Sequence, residues 1–534
     1  MRLDLATLFD AIAAAVPERE AVVWRDTRRT FGQTADRVRR LARVLEAHGL
    51  GPAGAPGDPW TSHHDHLALY LYNGPAYLEG IVGAHRARVA PFNVNYRYVD
   101  DELLYLFGDA KPKAILYHAA FAPVLERVLP SLAHRPLLLQ VPDDSGNALL
   151  PDALDYEEAL AAAPDGAPSA VPEADDLHIL YTGGTTGMPK GVLWRIEDLI
   201  EGPLGLLRRD GSRYESVEEI VTVAAGRSAA KVLALPPMMH GSGTWTALAG
   251  WLSGATVLVP DTVDRFDPVT TLDLVEREGA TRVPVVGDAF VRPLVAELER
   301  RPRDTSRIRH LINSGAAINP ATKARLAELM PHTKIFDVVG SSESGLHITR
   351  FGAAETSFQA TPGAAVASED RTRLLPPGSA EMGWLAKGGS IPRGYLGDAA
   401  KTAATFVEIE GRRWVLPGDR AEHLADGTFA MHGRDSLTIN TGGEKVFVEE
   451  VEAVVRAVPG VAEALVLGRA SERWGTEIVA VVRLTAELTD DQLKAACADR
   501  LARYKIPKTF VRTDRELRLP NGKADYGTAR TLLK

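Results

Sequence analysis

Residues 181–192 read YTGGTTGMPKGV and follow directly on an apolar run. Glycine removes the side chain that keeps a ligand away from backbone N–H groups, threonine adds hydroxyl donors, and Lys190 adds a positive charge on a flexible stem. That combination predicts a loop that grips a polyphosphate. A surface hairpin has a similar local composition, so the choice between them falls to the rest of the chain. The Walker pattern G-x-x-x-x-G-K-[ST] is not met, because Met188-Pro189 separates Gly187 from Lys190 and Gly191 follows the lysine. A Walker loop also opens a helix whose amino terminus holds the phosphate, whereas Gly191-Val192-Leu193-Trp194 is apolar and β-prone. The loop is therefore expected to join two strands.

With 534 residues the chain exceeds a single core and fits about three or four domain-sized units. Hydrophobic residues make up 45% and charged residues 25%, as in globular proteins, and the net charge of −9 argues against nucleic-acid binding. An anionic ligand must then be held by local charge. Cys497 is the single cysteine, so an internal disulfide or a cysteine-rich metal site is excluded, and a cytoplasmic location fits. Asp4 and Asp10 interrupt any signal-type apolar segment, while Leu5, Leu8, Phe9, Ile12 and Val16 recur at helical spacing. No apolar run is long enough to span a bilayer, which leaves loose surface association with a membrane open. A homodimer is compatible with a globular chain of this kind.

Short apolar runs such as Leu67–Tyr72 and Ala114–Tyr117 alternate with helical patterns up to about residue 170, and Val257–Val259 and Ile335-Phe336 continue the alternation. This predicts an α/β architecture. Beyond residue 435 a smaller α+β unit is expected. Val451, Val454, Val455 and Val458 mark a helix ended by Pro459-Gly460, strands follow at 464–467 and 478–484, and Thr489 caps a helix carrying Leu493, Ala496, Cys497 and Leu501 on one face. Cys497 is read as a core residue.

Several further motifs stand in order along the chain: Pro236-Pro237-Met238-Met239-His240-Gly241, Asp337-Val338-Val339-Gly340-Ser341-Ser342-Glu343, Pro417-Gly418-Asp419, Gly433-Arg434 with Thr441-Gly442-Gly443-Glu444-Lys445-Val446, and Pro520-Asn521-Gly522-Lys523. With the glycine loop they resemble the adenylate-forming superfamily of acyl-CoA synthetases, insect luciferases and peptide-synthetase adenylation domains. The wording YTGGTTGMPKGVLWR and INTGGEKVFVEEVE is most similar to actinobacterial-type fatty-acyl and steroid-side-chain CoA ligases. The resemblance implies a large N-terminal domain of α/β subdomains (1–433), a hinge (434–436) and a small mobile C-terminal domain (437–534), with the active site between the two domains. It also implies ATP, Mg²⁺ and CoA as cofactor and co-substrates.

The implied reaction joins two anions, a carboxylate and the α-phosphate of ATP, so the protein must supply positive charge and aligned donors. The resemblance assigns Thr182, Gly183, Gly184, Thr185, Thr186 and Lys190 to the phosphates and Glu343 to Mg²⁺. Lys523 is to bridge the carboxylate and the α-phosphate, Asp419 to accept from the ribose, and Arg434 to donate to ribose or phosphate. Gly315, Ala316 and Ala317 are to wall the adenine beside Asp337, Val339, Gly340, Ser341 and Ser342. His240, Gly241, Trp245, Val286, Gly287 and Gly340 are the acyl-pocket candidates, with Gly442, Gly443 and Glu444 along a pantetheine tunnel. Arg469, Arg473 and Lys505 are basic residues considered for the CoA phosphates, with surface charge as the plainer reading.

The chain departs from the family pattern at Val339, where an aromatic ring usually stacks on adenine, at Ser342 and Pro417, where threonine is usual, and at Ser436, where a hinge Asp or Lys is usual. Adjacent Asp435 is the alternative pivot. Two other functions share these motifs: an adenylating enzyme with a carrier protein or oxygen as acceptor partner, and a non-catalytic nucleotide- or acyl-binding relative.

Overall fold

Central strands of one sheet are buried on both faces, and the structure shows why. The computed structural model describes residues 2–55, 57–183, 188–227, 230–315, 318, 320–352, 357–434, 438–517 and 525–533. Two large, mostly parallel sheets lie on either side of a helical layer. In the strand His66–Tyr70, Leu67 and Leu69 enter that middle layer while Ala68 and Tyr70 enter the core behind the sheet. Parallel strands covered on both sides must be apolar throughout.

The eight-stranded sheet runs Gly394–Tyr395, Pro189–Arg195, Leu177–Gly183, Ala90–Asn93, His66–Tyr70, Ala114–His118, Leu137–Val141, Ala153–Asp155. Leu177–Gly183 and Pro189–Arg195 pair antiparallel with Gly183 opposite Pro189, so the glycine loop does join two strands. The nine-stranded sheet has six parallel central strands: Lys334–Ser341, His310–Ser314, Arg282–Val285, Lys231–Leu233, Thr256–Val259 and Glu20–Trp24. Helices Leu5–Ala15, Phe31–Ala47, Pro75–Arg86 and Gly241–Leu252 fill the layer between the sheets. The helix Phe31–Ala47 is set by a capping box, Thr30 with Gln33, and buries Val38, Leu41, Ala42 and Leu45. No described helix is long and apolar enough to cross a membrane.

Residues 438–517 and 525–533 form the small unit: the hairpin Thr438–Thr441/Glu444–Phe447, the helix Val448–Arg456, a three-stranded sheet and the helix Asp490–Ala498. Thr489 caps that last helix through Gln492, and Cys497 is buried in the unit's core. Asp435 and Ser436 lie outside the described residues.

Lys334–Ser341 and Gly345–Phe351 pair antiparallel with a register shift between Val339 and Gly340. The bulge brings the Gly345 carbonyl against Gly340, where a Cβ would collide with it. Gly340→Ala should therefore destabilise the fold by about 1–3 kcal/mol, as overpacking does. A lowered Tm in calorimetry checks this, and an unchanged Tm would refute it.

Candidate active site

A cavity of about 480 Å³ lies between the inner face of the nine-stranded sheet and the helix Gly241–Leu252. The strand period of two builds its floor. Arg282 is in register with His310, Pro284 with Ile312 and Phe336, and Ser314 with Val338. These residues all face the cavity, while their neighbours Val283, Val285, Leu311 and Ile335 pack into the core behind. Trp245, Thr246 and Ala249 of the helix form the opposite wall, and Pro203, Leu346 and Thr349 close one side.

Two buried asparagines fix the mouth. Asn93 Nδ2 donates to the carbonyls of Tyr181 (2.9 Å) and Met239 (2.6 Å), and its Oδ1 accepts from the Tyr181 N–H at 2.7 Å. Asn73 Nδ2 donates to Ala234 and Pro236, and its Oδ1 accepts from the Met238 N–H at 2.6 Å. Together they stitch the start of the glycine loop to the segment that carries His240. Neither residue was singled out from sequence, because a buried asparagine has no local signature.

The small unit completes the mouth with Gly443, Glu444, Lys445, Tyr504 and Lys505. Gly442 and Gly443 have φ of +55° and +86°, the left-handed region, and a Cβ on Gly443 would lie 2.6 Å from Val286. Both conditions call for glycine. This turn drives Glu444 into the large unit, where it pairs with Arg97 and accepts from His240 Nε2 at 3.1 Å. Burial pushes the Glu444 pKa up, but the charges of His240, Arg97 and Lys505 outweigh it and hold the carboxylate at about 2. A second bridge crosses beside it. The buried Lys505 ammonium donates to Glu102 of the large unit (2.6 Å) and Glu450 of the small one (2.8 Å). Burial lowers the Lys505 pKa, and the two carboxylates reverse that and raise it. Asn95 Nδ2 reaches the Tyr504 hydroxyl at 3.3 Å.

Beside the mouth, the turn Ser341–Ser344 is folded by hydroxyl contacts, with Ser341 Oγ accepting from the Glu343 and Ser344 N–H groups. Trp194 Nε1 donates to the Ser342 carbonyl at 2.9 Å. Glu343 Oε1 accepts from the Tyr395 hydroxyl at 2.9 Å. Tyr395 and Lys190 sit on neighbouring strands, and Lys190 pairs with Asp398. The structure thus brings Lys190 and Glu343 to one edge of the eight-stranded sheet. Asp419 is buried on a strand whose register sets it opposite Arg434.

Other expected site residues stand elsewhere. Thr182, His240, Gly241, Trp245, Gly315, Gly340, Ser341 and Ser342 line the cavity. Val286 and Gly287 do not: Val286 packs beneath Gly443 and Gly315 in the outer core, and the Gly287 N–H donates to Asn313. Asp337 and Val339 point to the face opposite Phe336 and Val338. Asp337 Oδ2 accepts from Lys323 and Arg350 and Oδ1 from Asn313, which leaves an acceptor position on Oδ1 only. Burial raises the Asp337 pKa, and these donors reverse that and lower it. Val339 packs against a small apolar cluster with Ile348 and Phe358. Lys505 is not a surface charge, and Arg469 is paired with Glu477. Gly184, Thr185, Thr186, Ala316, Ala317 and Lys523 lie outside the described residues, as does the Arg434 side chain.

A two-sheet body that presents a glycine loop beside an apolar cavity, closed by a small α+β unit, is the architecture of AMP-forming acid–CoA ligases. The sequence matches the AMP-binding enzyme family over residues 9–396 and its C-terminal domain over residues 450–523. The chain belongs to that family, and its class is acid–CoA ligase, AMP-forming, with ATP, CoA and a carboxylic acid as substrates. It is 47% identical to the medium-chain acyl-CoA ligase Mig of Mycobacterium avium, over 97% of this chain and 96% of that protein. It is 33% identical to the 3-oxocholest-4-en-26-oate–CoA ligase of Rhodococcus rhodochrous, over 99% and 96%. The o-succinylbenzoate CoA synthetase of Bacillus subtilis shares the fold with a TM-score of 0.78 at 22% identity, over 99% of this chain and 98% of that one.

Replacing Lys505 by Met leaves Glu102 and Glu450 facing each other without a cation. Breaking a buried pair in this way costs about 3–5 kcal/mol. Lys505→Met should therefore slow thioester formation far more than acid-dependent exchange of pyrophosphate into ATP, and open the joint between the units to proteolysis. Equal effects on both half-reactions would contradict the role given to this bridge.

Proposed function

We propose that this chain activates a medium- or long-chain fatty acid, or a steroid side-chain acid, as its acyl-adenylate with release of pyrophosphate, and then passes the acyl group to CoA. The observation that carries this reading is the elongated, mainly apolar cavity, which runs from Arg282 and His310 up to the glycine loop, the Glu343 turn and the Glu444 turn. The named relatives act on acids of this kind.

In this reading the acid lies along the sheet with its carboxylate at Gly340 and His240. Thr182, Gly183, Gly184, Thr185, Thr186 and Lys190 hold the β- and γ-phosphates of ATP, and Lys190 exchanges Asp398 for them. Asp419 and Arg434 take the ribose, while Gly315, Ala316, Ala317, Asp337, Val339, Ser341 and Ser342 border the adenine. Lys523 brings positive charge to the meeting point of carboxylate and α-phosphate, where negative charge accumulates in the transition state. Glu343 suits Mg²⁺, since its Oε1 has one side-chain donor, Tyr395, and its Oε2 has none among the described residues. Mg²⁺, when bound, neutralises phosphate charge. CoA then enters past Gly442, Gly443 and Glu444, and the described arrangement, with that turn at the mouth, is the one that serves thiol transfer. The chain works as domains 1–433 and 437–534 about a hinge at 434–436, in the cytoplasm, as a homodimer.

Incubation with ATP, Mg²⁺, CoA and a panel of such acids should yield AMP, pyrophosphate and thioester in equal amounts. ADP in place of AMP would reject the reading. Lys523→Ala should lower adenylation by about a hundredfold or more, the scale of losing one aligned electrostatic group, while nucleotide binding persists. Full activity in that variant would remove Lys523 from the chemistry. Adenylate that accumulates regardless of CoA would favour a non-CoA acceptor instead.

A further inference from the structure

The far end of the cavity is not hydrocarbon. Arg282 and His310 stand side by side there, at the amino ends of adjacent parallel strands, and both line the cavity. The other ionisable lining groups, Tyr98, Tyr181, His240, Glu444, Lys445, Tyr504 and Lys505, belong to the mouth. Gly340 lies six residues along its strand from Lys334, which is in register with His310. At the rise of a strand this separates the two ends by about 20 Å.

The Arg282 side chain makes no hydrogen bond or ion pair with any described residue. The nearest charges repel it: Arg227 acts on Arg282, and Arg282, Lys334 and Arg309 act on His310. The acidic Glu278, close in sequence, is engaged by Arg28 and Lys231. Burial, the largest influence on Arg282, lowers its pKa, yet a guanidinium stays charged. A purely aliphatic tail reaching this wall would strip water from a cation and return no acceptor, which is costly.

We propose that Arg282, with His310 beside it, receives an oxygen acceptor at the end of the substrate remote from the activated carboxylate. The preferred acids then carry a second oxygen function, a carbonyl or carboxylate, spaced to reach this wall. This rests on the acid–CoA ligase reading and sharpens it. The guanidinium fork suits a carboxylate or a carbonyl, because it offers parallel N–H donors in a fixed plane. Arg282 is a specificity residue, distant from the reacting atoms.

The test compares straight-chain acids of increasing length in three forms: unsubstituted, ω-1-oxo and ω-carboxy. At the best length the wild-type enzyme should favour an oxygenated form over the unsubstituted one by about tenfold or more in kcat/KM, mainly through KM, as a charged hydrogen bond provides. In Arg282→Met the preference should vanish, with the unsubstituted acid of that length used better than by the wild type, because no cation is then stripped of water. Arg282→Lys, which keeps charge without the fork, should retain part of it. Turnover of the unsubstituted acid reports that each variant is folded. A preference that survives Arg282→Met, or unsubstituted acids preferred at every length by the wild type, would overturn this inference alone. No thioester from any acid would overturn the ligase reading and this inference with it.

Discussion

The arrangement of the two units depends on one buried negative charge. Glu444 leaves water at the tip of a two-glycine turn and is received by Arg97 and His240, which belong to the other unit. Desolvating a carboxylate costs several kcal/mol unless cations meet it. The charge is therefore satisfied only where the two units touch, and the touching defines the mouth of the cavity. Lys505 repeats the logic with the opposite sign, as a small-unit cation held by a carboxylate from each side. Two crossed pairs of this kind fix the orientation of the small unit more sharply than apolar contact, which is non-directional.

The cavity itself is a product of strand pleat and parallel register. Three adjoining rows of side chains run from a basic end to a glycine end, and the helix Gly241–Leu252 roofs them. Asn73 and Asn93 hold the glycine end, where their amides bind backbone from strands and loops far apart in sequence. The chemistry proposed for this protein needs a rigid frame around a gap, because two anions must be brought together without solvent to screen them. The asparagine stitches supply that frame on the large unit, and the Glu444 turn supplies the other side.

Much of this was legible in the sequence. The apolar context of Gly191–Trp194 placed the glycine loop between strands, and the Thr489 cap and the core position of Cys497 followed from helical periodicity. What stayed hidden was long-range. Lys505 reads as a surface lysine because its partner Glu102 is 403 positions away. Val286 and Gly287 resemble pocket residues, yet the strand ends at Val285, Val286 turns into the core as the helix Gly287–Arg300 begins, and the cavity is floored by Arg282 and Pro284 instead. The pairing of Arg282 with His310 depends on the register of parallel strands, which no turn between them dictates. The partners of Asp337 were equally hidden, since Lys323 and Arg350 meet it only in the folded sheet.

The alternation of these strands has one more consequence. Val283, Val285, Leu311 and Ile335 anchor the scaffold on one side of the backbone, while Arg282, Pro284, Ile312 and Phe336 face the guest on the other. Every second letter is thus released from structural duty. A lineage can rewrite those letters to suit a new diet without loosening the framework, so appetite and durability are inherited separately.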